Sequence, residues 1–268
     1  MRPTQIRQGI ILFLFLAITA LASAQDRAVK LRVLTYNIYH GEAADGSIDM
    51  DLLASIINEV NPDLVALQEV DKNVQRTGGI DITEELARRT GLEGYFVKHR
   101  DFQGGEYGNA ILSRFPVTNI DALEGYHSTP SIITFAFATV EVTSDAELIF
   151  GCAHLTTRAD DRKQQARQLM DYYVDARNRA PMILTGDLNA EPHHDEVKML
   201  LTEFAEADTT YASTYPSRTA PVKKIDYILY PRTSAWTVKE ARVLCRQDAS
   251  DHCAVFAILQ YTPTAADR

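Results

Sequence analysis

A chain of 268 residues with 46% hydrophobic content is long enough to bury a sizeable core, which excludes a disordered segment or a disulfide-framed miniature domain. The formal charge of -9 excludes a strongly basic surface as the basis of nucleic-acid binding, although a metal ion can hold phosphate in its place. Three cysteines, an odd number, exclude a complete disulfide framework.

In chain order, Arg2 and Arg7 precede an apolar stretch over 10–21, followed by Ala22-Ser23-Ala24, the small-residue spacing of a cleavage site. Residues 1–24 therefore read as a signal peptide and 25–268 as an exported catalytic domain, secreted or periplasmic. An uncleaved N-terminal anchor is the alternative, but the stretch is short for a span of ~20 apolar residues. Removing two positive charges takes -9 to -11 over 25–268. The body shows no linker, repeat or low-complexity tract, so one domain is expected.

Residues 31–36 read as a strand ending at Asn37. The apolar spacing Leu53, Ile56, Ile57, Val60 predicts a helix over 50–60, closed by Asn61-Pro62. A buried-strand run over 63–67 ends at Gln68-Glu69, and a short helix over 83–90 stops at Gly91. Strands follow over 94–98, 110–113 and 117–120, then a hairpin of 132–142 and 147–153 across Ser144-Asp145. The longest helix, 160–177, carries Ala166, Leu169, Met170, Tyr173 and Val174 on one face. A strand over 182–185 leads into Gly186-Asp187-Leu188-Asn189, with a helix over 195–203 and last strands over 225–230, 236–244 and 254–260. Strands that both alternate with helices and pair as hairpins imply mixed sheets, packed face to face and covered by helices.

Cys245 and Cys253 flank the turn-like 246–252 and face each other if that segment is a hairpin in an oxidising compartment. The plainer expectation is three small buried apolar side chains, Cys152 included.

Several polar residues end apolar strands, where a carboxylate gains nothing from burial and needs a cation or donors. Glu69 and Asp251 are natural ligands for a hard divalent ion such as Mg2+ or Mn2+, and Asn37 can add a carbonyl oxygen. Asp187 and Asn189, two apart in a turn, can orient a water and donate to a phosphate oxygen; the plainer use of such a turn is side-chain-to-backbone bonding. Asp226 beside His252 would fix the imidazole tautomer and favour its cation, and His154 at a strand end can protonate a leaving oxygen. Taken one at a time, each of these is more often an ordinary polar residue at a loop edge.

The segments 34–38 (Leu-Thr-Tyr-Asn-Ile), 67–70 (Leu-Gln-Glu-Val), 108–114 (Gly-Asn-Ala-Ile-Leu-Ser-Arg), 153–155 (Ala-His-Leu), 186–190 (Gly-Asp-Leu-Asn-Ala), 225–228 (Ile-Asp-Tyr-Ile) and 250–252 (Ser-Asp-His) resemble, in order, the motifs of the endonuclease/exonuclease/phosphatase superfamily. The resemblance spans roughly residues 30 to 262. It implies a four-layered α/β sandwich of the DNase I-like kind, two packed, mostly antiparallel mixed sheets flanked by helices. It also implies a metal at Glu69 with help from Asn37 and Asp251, a water-orienting pair at Asp187 and Asn189, and a catalytic imidazole pair at Asp226 and His252, with His154 assisting. His40, Arg76 and Asn109 are further candidates for touching a substrate phosphate. Arg162, Lys163 and Arg167 read as a solvated helix face, and His193 and His194 as exposed loop residues.

The stretch 124–133 lacks an arginine that nuclease-like members often carry, which puts a nucleic-acid backbone contact there in doubt. The expected activity is metal-dependent hydrolysis of a phosphodiester by in-line attack of water, on a lipid head group or other small diester. A secreted nuclease acting on DNA or RNA is the rival enzyme, and a catalytically silent binding module the rival from another class. A monomer with no stable protein partner is expected.

Overall fold

The computed structural model describes residues 28–144, 146–233 and 235–262. The expected signal peptide, and Asp145 of the expected hairpin turn, lie outside the described residues. No described helix is long and apolar enough to cross a membrane.

The first half builds one sheet from β1 (Val29–Asn37), β2 (Leu64–Lys72), β3 (Glu93–Phe102) and β4 (Gly105–Ser113), and the last strands, β11 (Trp236–Leu244) and β12 (Ala254–Tyr261), return to complete it in the order β11-β12-β1-β2-β4-β3. The second sheet holds β5 (Val117–Gly125), β6 (Ile133–Thr143), β7 (Ala146–His154), β8 (Met182–Asp187), β9 (Phe204–Glu206) and β10 (Asp226–Pro231), in the order β5-β6-β7-β8-β10-β9. Each sheet contains one parallel pair, β1 with β2 and β7 with β8, and the other pairings are antiparallel.

A parallel pair needs a crossover, and helices supply both. The helix α1 (Met50–Val60) joins β1 to β2, with Asp49 accepting from the Leu52 N–H at its start and left-handed Asn61 at its end. Helix α2 (Ile82–Thr90) is capped in the same way by Asp81 and Gly91. Helix α3 (Ala159–Ala176) joins β7 to β8, and the short α4 (Asp195–Leu200) packs beside it.

Leu31 and Val33 on one face of β1 meet Phe150, Ile183 and Val255 in the core between the sheets. Leu34 and Tyr36 on its other face pack with Leu53, Ile57 and Leu86 from α1 and α2. Likewise Ile149 and Leu184 pack outward on Leu169 and Tyr173 of α3 and Val197 of α4. Central strands apolar on both faces read as continuous apolar runs, and the result is the expected four layers, helices on sheet on sheet on helices.

Three local expectations change. The stripe on α3 is rotated, so that Asp161, Arg162 and Gln165 join Ala166, Leu169 and Tyr173 on the buried side while Val174 is 42% exposed. The helix predicted over 195–203 ends at Leu200, because Phe204 leaves it to enter the core against Tyr173 as part of β9, a strand too short to show alternation. Finally, Cys245 and Cys253 form a disulfide, and only Cys152 remains as a free, buried thiol. Leu244 and Ala254 are ladder partners at the ends of β11 and β12, so the next residue on each strand is brought opposite the other, with Cα atoms 4.4 Å apart.

Candidate active site

The two parallel pairs end at the same mouth. Asn37 is paired with Gln68 at the end of β1 and β2, and His154 with Asp187 at the end of β7 and β8. Asp226, first residue of β10, lies opposite Asp187 in the antiparallel ladder. The loop from Cys245 to Cys253 carries Asp251 and His252 to the same place. A cavity of about 600 Å³ opens there, walled in part by Glu69, His154, Asp187, Asn189, Asp251 and His252.

Local backbone geometry aims these groups. The β2–β4 register slips between Leu67 and Val70, and Glu69 sits in that irregularity with φ 59°, which turns its carboxylate out of the ladder. Gly186 has φ 134°, and a Cβ there would come 1.8 Å from the Ala153 carbonyl oxygen; only glycine lets β8 approach β7 closely enough to seat Asp187 beside His154.

Asp187 is buried and fully engaged. Its Oδ1 accepts from the Asn189 N–H at 2.8 Å, its Oδ2 accepts from the Asn37 amide at 3.1 Å, and Nε2 of His154 and of His252 lie 3.5 and 3.7 Å from Oδ2. Burial raises its pKa against the pull of His252. Asn189 is held by donation from its own amide to the Leu155 carbonyl at 2.8 Å.

The His252 ring stands between two carboxylates. Its Nδ1 donates to Asp226 Oδ2 at 3.0 Å while Nε2 faces Asp187, and the Tyr215 ring lies against it with centroids 4.8 Å apart. Burial disfavours the imidazolium, but Asp226 and Asp187 outweigh it and push the His252 pKa up to about 10. Asp187, Asp226 and His252 bring ligand atoms within 4.8 Å of one another. The cation these carboxylates already share is the imidazolium itself.

A different pair could hold a metal. Asp251 Oδ1 is buried with no hydrogen-bond partner, and burial, with a further contribution from Glu69, raises the Asp251 pKa although His252 opposes it. Two carboxylates that repel each other, one of them with an orphaned oxygen, fit a hard divalent cation. The expected carbonyl ligand at Asn37 is turned the other way. Its Oδ1 accepts from the Tyr39 N–H at 3.1 Å, and its amide nitrogen donates to Glu69 Oε1 at 3.2 Å as well as to Asp187, since an amide oxygen aimed at two carboxylates would be repelled. Asn37 therefore braces the Glu69 and Asp187 carboxylates.

The other candidates do not reach the cavity wall. Arg76 is bound by buried Asp71 at 2.7 and 2.8 Å and covers the Phe102 ring. His40 is buried beside Glu42 at 3.4 Å, and burial lowers its pKa. Asn109 is buried and donates to the Thr134 carbonyl at 3.2 Å. Arg162, expected in solvent, is buried in an ion pair with Glu196 at 2.6 Å and donates to the Thr157 carbonyl, which follows from the rotation of α3. Lys163 is half-exposed, and Arg167 and His193 are exposed; His194 is half-buried, its Nδ1 accepting from the Glu191 N–H.

Sequence reasoning missed other parts of the cavity wall: His99, Arg100 and Tyr107 from β3 and β4, His127 and Ser131 from the β5–β6 connection, and Lys223. Of these, only Tyr107 adjoins a recognisable motif, one residue before Gly108-Asn109.

Residues 34–252 match the model of the Endonuclease/Exonuclease/phosphatase family. An uncharacterized Escherichia coli K12 protein, YbhP, is 24% identical over 250 residues, covering 87% of this chain and 97% of its own. The crystal structure of an endonuclease/exonuclease/phosphatase from Beutenbergia cavernae aligns with TM-score 0.67 and 25% identity, over 88% of this chain and 73% of that one. A mannosyl-6-phosphatase of Bacteroides thetaiotaomicron aligns with TM-score 0.71 and 18% identity, over 85% and 99%. With that match running through the strand ends that meet at the cavity, the chain belongs to the endonuclease/exonuclease/phosphatase family.

Proposed function

We propose that this protein is an exported, divalent-metal-dependent phosphoesterase that hydrolyses a phosphodiester of a lipid head group or other small alcohol by in-line attack of water. The observation that carries the reading is the His252 imidazole clamped between Asp226 and Asp187 beside the unpartnered Oδ1 of Asp251. The Cys245–Cys253 bond supports an oxidising compartment, in keeping with residues 1–24 as a signal peptide.

Glu69 and Asp251 would hold the ion, with the Glu69 carboxylate braced by the Asn37 amide. When bound, a divalent ion polarises the phosphoryl oxygen and offsets its growing charge. Asp187, its Oδ1 fixed by the Asn189 N–H, orients the attacking water and draws on its proton. The His252 imidazolium donates to a non-bridging phosphoryl oxygen as charge accumulates, and Asp226 keeps it protonated and oriented. His154, within 3.5 Å of Asp187, delivers a proton to the leaving oxygen. Arg100 and Lys223 on the cavity wall favour a second reading, a secreted nuclease acting on DNA or RNA.

Hydrolysis of bis-p-nitrophenyl phosphate with and without Mg2+ or Mn2+ tests the activity. Metal-dependent turnover lost in Glu69→Ala supports the reading, and turnover indifferent to both the metal and that substitution refutes it.

A further inference from the structure

We propose that His99 is a specificity-determining residue whose ring nitrogen Nε2 accepts a hydrogen bond from a hydroxyl on the leaving alcohol, so that the substrate is a phosphoester of a polyol. The proposal rests on the phosphoesterase reading and names the substrate class of the same site.

The backbone is shaped to deliver this side chain. The β3–β4 ladder pairs Lys98 with Gly108 and Arg100 with Tyr107, leaving His99 as the extra residue of a bulge. Bulges re-aim side chains out of the ladder. The partner strand makes room with Gly108, where a Cβ would lie 2.1 Å from the Val97 carbonyl oxygen and 3.1 Å from the His99 backbone nitrogen. The ring of Tyr107 holds the imidazole edge-on, with centroids 5.7 Å apart.

His99 is 5% exposed and forms part of the cavity wall. Its ring bonds to the backbone of Thr134, and Nε2 is buried with no protein partner. A hydrogen bond that favours the charged ring is one donated to a carbonyl, so Nδ1 carries the proton and Nε2 presents a lone pair. Burial, reinforced by His154 and Arg100, pushes the pKa of His99 down to about 3, so the ring stays neutral.

A neutral acceptor cannot serve phosphate oxygens, which are acceptors themselves. It needs a donor, and a buried acceptor left unpaired by a ligand penalises that ligand. His99 and His154, the group placed at the leaving oxygen, wall the same cavity, which puts the missing donor on the alcohol being released.

The test compares kcat/KM, in Mg2+, for two diesters of the same ring size, methyl myo-inositol phosphate and methyl cyclohexyl phosphate, with bis-p-nitrophenyl phosphate as a hydroxyl-free control. The wild-type protein is expected to prefer the inositol ester by at least about tenfold. The ratio should fall toward one in His99→Leu and recover in part in His99→Gln, which restores an acceptor. Turnover of bis-p-nitrophenyl phosphate by the wild type with no preference between the ring esters overturns the role of His99 and leaves the phosphoesterase reading standing. A preference that survives unchanged in His99→Leu overturns it equally. Absence of turnover on all three substrates overturns the phosphoesterase reading, and the inference with it.

Discussion

Asp187 and Asp226 face each other as ladder partners on β8 and β10, and the His252 ring is seated so that one nitrogen meets each carboxylate. The sheet thus supplies both halves of a clamp that keeps an imidazole charged inside the protein. Asp226→Asn keeps the shape and removes the charge, and should lower kcat by roughly 100-fold or more. Steady-state kinetics alongside a thermal melt check it; near-wild-type kcat would remove Asp226 from the mechanism.

The same clamp gives a pH dependence to the chelated, metal-free protein. The folded pKa of His252, about 10, exceeds the ordinary value of 6.5, so folding favours the protonated ring. Its stabilisation is therefore fully present below about pH 6.5 and is lost as pH rises through about 10. Denaturant titrations across that window should show stability falling with pH, and the slope should flatten in Asp226→Asn. Equal slopes in the two proteins would mean that His252 does not titrate as described.

Metal affinity separates ligands from braces. Asn37→Ala removes a donor to Glu69 and should weaken Mg2+ binding by about 10–100-fold, the effect of losing an outer partner. Glu69→Ala and Asp251→Ala should weaken it further, and isothermal titration calorimetry reads all three. Unchanged affinity in both carboxylate variants would place the metal elsewhere.

The Cys245–Cys253 bond closes the loop that carries Asp251 and His252, with a sequence separation of 8. A loop of that length stabilises folding by about 2–3 kcal/mol by the chain-entropy estimate. The Cys245→Ser/Cys253→Ser double variant should accordingly unfold at lower denaturant and lose activity along with stability. A variant as stable as the wild type would show that the loop is held by its other contacts, such as the Ser250 hydroxyl donating to the Asn37 carbonyl.

The candidate site was legible in the sequence because each of its residues ends an apolar strand or sits in a short motif, so Glu69, His154, Asp187 and Asp226 announce themselves by position. The rest of the cavity wall was not. His99 reaches the cavity only through a bulge between β3 and β4, and an unpaired residue in a ladder leaves no periodic trace. Arg162 was misjudged because the apolar stripe of α3 admits two rotations, and the ion pair with Glu196 that selects one is formed 34 residues away. The disulfide depended on strand register, which Leu244 and Ala254 set through the β11–β12 ladder and which spacing alone does not convey.

The most direct test of the account is Mg2+-dependent turnover by residues 25–268 on bis-p-nitrophenyl phosphate, plasmid DNA, RNA, sphingomyelin and phosphatidylinositol, with His252→Ala alongside. The account predicts hydrolysis of the small or lipid diesters that requires the metal and is lost in the variant. Cleavage confined to DNA or RNA and lost in the variant would establish the nuclease reading in its place. Wild-type turnover by His252→Ala, or silence on every substrate, would contradict the catalytic site itself.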